Sequence, residues 1–330
     1  MSGRRATPAL RMAARRLLQV VPVVLFILVV NYALLRLAPG DLVDVIAGEA
    51  GAATPEYMEE LRRRFSLDQP ALVHFLTYMK AVLSLDLGYS FRHGMPVAQL
   101  ILDRLPATLL LTASGILFAL VSGVFLGVLS ARFHGRAADA AIAVLSTLGF
   151  ATPVFWIGLM AIVVFSIQLR WLPAGGMVTV GAGHAGLDHL LDVARHLVLP
   201  AMTLGCFFTA YYCRITRAAM LEVQGLDFVR TARAKGLGER RILLAHVLRN
   251  ALLPVVTLTG VQLGSLIGGS VVVETVFAWP GLGRLAFDAI FRRDMNLLLG
   301  ILLCSSLLVI LMNLLVDLLY AALDPRIEVR

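Results

Sequence analysis

Residues 222–254 read Glu222-Val-Gln-Gly-Leu-Asp-Phe-Val-Arg-Thr-Ala-Arg-Ala-Lys-Gly-Leu-Gly-Glu-Arg-Arg-Ile-Leu-Leu-Ala-His-Val-Leu-Arg-Asn-Ala-Leu-Leu-Pro254, between an uncharged stretch that ends before Arg214 and another that follows Arg249. Asp227 stands where the cap of a helix would stand, its short carboxylate able to accept bonds from the first unpaired backbone N–H groups of a helix running to Lys235. Gly236 supplies the left-handed position that stops such a helix, and Arg233 and Lys235 fall in its last turn, where positive charge meets the negative end of the helix dipole. A second helix is expected to start near Glu239 and to lead through Ile242, Leu243, Val247 and Leu248 into the next apolar run. Two helices joined at a glycine corner make a rigid, basic knob, which is a surface another protein can grip.

Working outward from the knob, the chain turns apolar. Of its 330 residues 59% are hydrophobic and 15% are charged, where soluble domains carry ~25% charged residues. The apolar excess comes in blocks. Between Arg16 and Arg36 lie 19 uncharged residues, between Arg104 and Arg132 there are 27, and between Asp139 and Arg170 there are 30. The remaining blocks are 18 residues between Arg195 and Arg214, 24 between Arg249 and Glu274, and 22 between Asp294 and Asp317. Each reaches the roughly 17–25 residues that carry a helix across a bilayer. The expectation is an all-α polytopic membrane protein with six transmembrane helices. The uncharged stretch Trp171 to Leu187 reads as a loop, because Pro173, Gly175, Gly176, Gly181, Gly183 and Gly186 oppose a helix. The basic N-terminus before an apolar run resembles a signal peptide, but the run is long and has no small-residue cleavage site, so it reads as a retained first helix.

Orientation follows from charge. The side holding the N-terminal tail, the loop near 132–139, the loop 214–249 and the C-terminal tail carries a net +10, and the other side −2, within the total of +8. Basic loops stay in the cytoplasm, so both termini are expected there. Dispersed border arginines also explain the basic balance without nucleic acid. The resulting organisation is a cytoplasmic tail 1–16, a first transmembrane helix 17–36, an extracytoplasmic, partly helical cap 37–104, a five-helix transmembrane domain 105–321 carrying the loop at about 222–250, and a cytoplasmic tail 322–330. Within the cap, 55–67 and Leu72 to Leu83 read as short helices.

At this point the motifs combine into a family resemblance. The run Thr231 to Leu237 followed by Asn250-Ala-Leu-Leu-Pro254 resembles the cytoplasmic coupling loop of ABC-importer permeases. Arg36-Leu-Ala-Pro-Gly-Asp41, Asp86-Leu-Gly-Tyr-Ser90, Arg104-Leu-Pro-Ala-Thr108, Glu274-Thr-Val-Phe-Ala-Trp-Pro-Gly-Leu-Gly-Arg284, Asp317-Leu-Leu-Tyr320 and Asp324-Pro-Arg326 resemble, in order, the B-type permease of the dipeptide/oligopeptide/nickel class. The chain departs from the general importer pattern at Arg230-Thr231-Ala232, where Glu-Ala-Ala is usual, and in a longer interval from Gly236 to Pro254. Both differences fit the peptide class.

The resemblance implies a type I ABC-importer transmembrane fold in a bacterial cytoplasmic (inner) membrane, spanning the lipid bilayer many times. It implies a second permease subunit, two cytoplasmic ATPase subunits that bind ATP and Mg, an extracytoplasmic solute-binding protein, and no cofactor in this chain. Peptides are the implied cargo, with nickel, glutathione or oligosaccharide as alternatives. Phe228, Val229, Ala232, Gly236 and Leu237 would give the contact surface and corner of the coupling loop, and Arg230, Arg233 and Lys235 would pair with acidic rims. Gly260, Gly264 and Gly268, spaced by four, would pack a helix beside the substrate path. Gly123 and Gly127 share that spacing and read equally as packing within the chain. Glu274, Trp279, Pro280 and Gly281 would contribute to an outer gate, where the carboxylate would pair with an arginine or attract a peptide amino group, or simply sit at the interface beside an aromatic anchor.

Other readings find less support in the residues. Cys206, Cys213 and Cys304 lie in apolar runs without a C-x-x-C pair and read as packing residues. His184, His189 and His196 invite a metal reading, which their irregular Gly-rich surroundings weaken, and His246 reads as a packing residue of the loop. Asp317 reads as an inner-border carboxylate. A membrane enzyme would need a catalytic constellation, an ATPase would need G-x-x-x-x-G-K-[ST], and a secondary transporter would usually carry charges in mid-span. The sequence shows none of these.

Overall fold

A computed structural model describes residues 21–34, 71–84, 86–90 and 92–323. The expected N-terminal tail, residues 324–330 of the expected C-terminal tail, the expected helix at 55–67 and the motifs at 36–41 and 324–326 lie outside the described residues, as does the side chain of Asp317. The helices are α1 (Val21–Leu34), α2 (Ala71–Leu83), α3 (Val97–Arg132), α4 (Ala137–Ala151), α5 (Val154–Ala161), α6 (Leu187–Gln224), α7 (Asp227–Ala234), α8 (Arg249–Val276), α9 (Leu282–Phe291) and α10 (Met295–Leu323). Wider π-helical turns extend α5 over Ile162–Gln168 and, after a single helical turn at Glu239–Arg241, lead into α8 over Ile242–Leu248.

Among the described residues four continuous helical stretches are long and apolar enough to cross a membrane: Val97–Arg132, Leu187–Gln224, Glu239–Thr259 and Met295–Leu314. The uncharged run 140–169, read from the sequence as one span, is instead a pair of helices bent by 103°. Pro153 is the physical reason. It has no N–H to continue the helix and pushes the residue before it out of the helical region, and Thr152 accordingly sits at φ −81, ψ 132. Counting the bent pair as one span gives five among the described residues, and α1 is described over a shorter apolar helix, Val21–Leu34. α3 and α6 start earlier or run further than their uncharged stretches, so that Asp103 and Arg104 are helical residues, and no helix occupies 169–186, as the glycines there require.

The described residues form two compact units, one drawn from the ranges up to 103 and 288–307, the other from 104–287 and 308–323. In the first, Tyr32 of α1 meets Phe75 of α2 edge to face at 5.1 Å. A two-residue hairpin pairs β1 (Tyr89–Ser90) with β2 (Met95–Pro96), antiparallel, in the register Tyr89 to Pro96. Ser90 donates its hydroxyl to Asp294, whose other oxygen accepts the Leu297 N–H at 3.1 Å and so caps α10.

Among the described residues the second unit holds three apolar clusters. One gathers Leu111, Ile116, Leu199, Leu204, Val273, Phe277 and Trp279. Another joins Ala119, Tyr212 and Val255. The third draws Ala131 of α3, Ala219 and Met220 of α6, Val229 and Ala232 of α7, Ile242 and Val247 of the π-helical turns before α8, and Ala251 of α8 into one core.

Candidate functional site

The knob has the glycine corner that its sequence implies. α7 ends at Ala234, Gly236 sits at φ 73, its N–H donates to Arg233 O at 2.9 Å, and the Leu237 N–H reaches back to Ala232 O at 3.3 Å. This is the Schellman pattern, in which a left-handed residue lets the chain satisfy the last carbonyls of the helix. Leu237 then packs on the core that holds Val229 and Ala232. Asp227 is the first residue of α7 rather than its cap, which is Leu226, and the helix has no side-chain cap. Asp227 still places a negative charge in the first turn.

The residues expected at the knob divide into two groups. Val229 and Ala232 are buried in the chain's own core, so they set the shape of the knob and present no contact surface. Phe228 is 42% exposed, and Arg230, Arg233, Lys235 and Gly236 are exposed with it. Arg233 Nε donates to Glu239 Oε1 at 2.8 Å, which clamps the two helices across the corner and pushes the guanidinium above its ordinary range. Arg230 makes only a 3.4 Å contact with Asp227. Replacing Gly236 with valine places a β-branched side chain at φ 73, at a cost of about 1–2 kcal/mol, and spoils the corner. On the coupling role that the family resemblance implies, ATP-driven uptake should fall several-fold per ATP hydrolysed, and unchanged uptake with unchanged ATPase activity would remove Gly236 from that role.

Glu274 is not an exposed gate carboxylate. It is fully buried near the end of α8. Its Oε1 accepts the hydroxyls of Thr108 at 2.8 Å and Ser270 at 3.1 Å, and its Oε2 accepts the Arg284 N–H at 2.9 Å. Thr108 Oγ1 in turn accepts the Leu282 N–H at 2.7 Å. Leu282 and Arg284 open α9, so Thr108 and Glu274 together satisfy two of its unpaired N–H groups from outside the helix. A side chain on Gly281 would overlap the carboxylate, and one on Gly283 would run into Val271 as well as the carboxylate. The carboxylate therefore serves the turn and is unavailable to a peptide amino group in this structure.

Trp279 is buried beside it and donates Nε1–H to Ala107 O at 2.8 Å. The chain reverses at Ala278, whose φ of 50 lets the Trp279 N–H bond Glu274 O at 2.8 Å, before Pro280 and Gly281 are reached. Two motifs separated by more than 160 residues, 104–108 and 274–284, are thus one structural node. The glycine-rich loop joins it: the Gly176 N–H donates to Phe277 O at 2.8 Å, and a side chain on Gly175 would lie 2.6 Å from that oxygen.

Gly260, Gly264 and Gly268 fall on α8, but their surroundings lie outside the described residues. Gly123 and Gly127 meet α6 of the same chain. His196 is buried and its Nδ1 bonds Asp192 O at 2.8 Å, whereas His184 and His189 are exposed. Among the described residues no group of His, Cys, Asp or Glu is arranged to hold a metal ion. The Asp192 carboxylate is taken by Thr179, through its N–H at 2.7 Å and its hydroxyl at 2.8 Å.

Comparison with known proteins gives a consistent result. A family model described as binding-protein-dependent transport system inner membrane component matches residues 123–329, and one for the N-terminal part of such membrane components matches residues 9–112. The oligopeptide transport system permease protein AppB of Bacillus subtilis is 40% identical over 315 residues, covering 95% of this chain and 98% of that one. The dipeptide transport system permease protein DppB of Escherichia coli K12 is 38% identical over 336 residues, covering 97% and 99%. Among solved structures, a chain of the MetNI methionine ABC transporter in an inward-facing form superimposes with a TM-score of 0.55 at 19% identity, covering 68% of this chain and 97% of that one.

Proposed function

The chain belongs to the family of binding-protein-dependent transport system inner membrane components, and on that premise we propose that it forms half of the translocation pathway of an ATP-driven peptide importer. It is a multi-pass permease subunit of the inner membrane. The observation that carries the peptide assignment is near-full-length similarity to relatives named for oligopeptide and dipeptide transport. The chain crosses the membrane six times with both termini in the cytoplasm, which the charge bias of its loops supports. Its exposed knob, with Phe228, Arg230, Lys235 and Gly236 at the surface, docks on a cytoplasmic ATPase subunit. A second permease completes the pathway, a second ATPase pairs with the first, and an extracytoplasmic solute-binding protein delivers the cargo. ATP and Mg are bound and used by the ATPases, and this chain contributes motion rather than chemistry.

The test is reconstitution of the whole transporter in vesicles with labelled di- and oligopeptides. Uptake should require ATP, the ATPases and the binding protein together. Uptake driven by an ion gradient alone would overturn the ABC reading, and a binding protein that takes nickel, glutathione or an oligosaccharide in place of peptides would overturn the cargo.

A further inference from the structure

α4 is an apolar helix with one buried residue, and that residue is an aspartate. Val144, Leu145 and Leu148 are 57–68% exposed, whereas Asp139 is 6% exposed. Its carboxylate is fully engaged. Arg217 of α6 grips it with a two-pronged contact, Nε to Oδ1 and Nη2 to Oδ2, both at 2.8 Å. Ser130 of α3 donates its hydroxyl to Oδ1 at 2.5 Å, and the Gly135 N–H donates to Oδ2 at 3.0 Å. His134 faces the same oxygen at 3.2 Å. The paired fork of Arg217 gives this contact direction as well as attraction, which a lysine would not.

The position of the pair in the fold is what gives it meaning. Ser130 adjoins Ala131 and Arg217 lies two residues before Ala219, and both alanines belong to the same apolar core as Val229 and Ala232 of the knob. α3, α6, α7 and the start of α8 therefore share one packed core, and α4 contributes no residue to it. Towards its other end α4 meets α6 through the stacked rings of Phe150 and Phe207, 5.0 Å apart. By contrast, Arg230–Asp227 and Arg233–Glu239 both stay within the knob.

We propose that Asp139 and Arg217 are positioning residues of transport: they form the joint by which a displacement of the knob is carried into α4 and on to the bend at Pro153. A push on the knob moves α6 through their common core, and the Arg217 fork drags α4 with it. Without the fork Asp139 keeps its bonds to Ser130 and Gly135, which tie it to the end of α3 and the turn after it, but loses its link to α6. This role rests on the knob being the ATPase dock, and the experiment separates the two ideas.

The complete transporter, with both permeases, ATPases and binding protein, is reconstituted in vesicles, and peptide uptake and ATP hydrolysis are measured in the same sample. Asp139→Asn keeps the shape of the side chain and should raise the ATP consumed per peptide about tenfold while the complex still assembles. Arg217→Lys, which keeps charge without the fork, should give an intermediate ratio. The double variant D139N/R217Q leaves no unpaired buried charge and guards against a simple folding defect. It should assemble as the wild type does and remain uncoupled. Normal ATP consumption per peptide in the double variant would overturn the joint, as would single variants that lose assembled complex and uptake in equal proportion. Failure of the wild type to couple uptake to ATP would instead overturn the ATPase dock.

Discussion

Glu274→Ala should lower the stability of the detergent-solubilised complex by about 3 kcal/mol, with a matching fall in its unfolding midpoint. Three donors converge on the carboxylate, from Thr108, Ser270 and the Arg284 backbone. The two hydroxyls can turn to carbonyls in their own helices, as Thr112 does to Thr108 O at 2.8 Å. The Arg284 N–H has no such freedom, because it points out of the first turn of α9. Glu274→Gln should be intermediate, since an amide can accept from one side and must present a donor to the other.

A second substitution makes this prediction sharper. A side chain on Gly281 would overlap the Glu274 carboxylate, so Gly281→Ala alone should be severe. In the Glu274→Ala background the obstructing atoms are gone. The double variant should therefore be more stable than the sum of its parts by about 1 kcal/mol or more, the sign of coupling between neighbours in contact. Strict additivity of the two changes would show that the contact drawn between Gly281 and Glu274 is not present in the folded protein.

How much of this could be read in advance depends on the range of the interaction. The corner at Gly236 was legible because a left-handed helix stop is a local event with a glycine signature. The loop at 169–186 was legible for the same reason. The role of Glu274 was not, because its partners Thr108 and the Arg284 N–H are brought to it by tertiary packing, and a carboxylate at the end of an apolar run looks interfacial in one dimension. Asp139 likewise marked a border in the sequence, yet it is buried against an arginine 78 residues away. The bend at Thr152–Pro153 carried a local signal, the proline, that the length of the uncharged run concealed. Val229 and Ala232 illustrate the remaining limit: a pattern places residues on a helix, but only packing decides which face turns inward.

The largest effect on packing is expected at Gly123. α3 and α6 approach so closely there that a side chain would collide with Cβ of Tyr212 and lie 2.9 Å from the carbonyl oxygen of Thr209. One turn later Gly127 would bring its own to 2.8 Å from Cys213 O, and Gly205 of α6 meets α3 from the opposite side, 2.8 Å from Gly115 O. Backbone atoms cannot move aside as a flexible side chain can. Gly123→Val must therefore spread the two helices, lose the 2.8 Å bond between Ser122 and Thr209, and expose part of the core around Tyr212. In a bilayer, where water does not drive helices together, such close contact is itself a principal source of their association. The expected cost is about 3 kcal/mol, read as a loss of assembled complex and a lower unfolding midpoint. Gly238→Ala supplies the contrast, because its added carbon would meet nothing within 4 Å and its backbone is not left-handed. Equal midpoints for Gly123→Val and Gly238→Ala would mean that α3 and α6 do not cross as described, and the shared core that links the knob to both helices would lose its foundation.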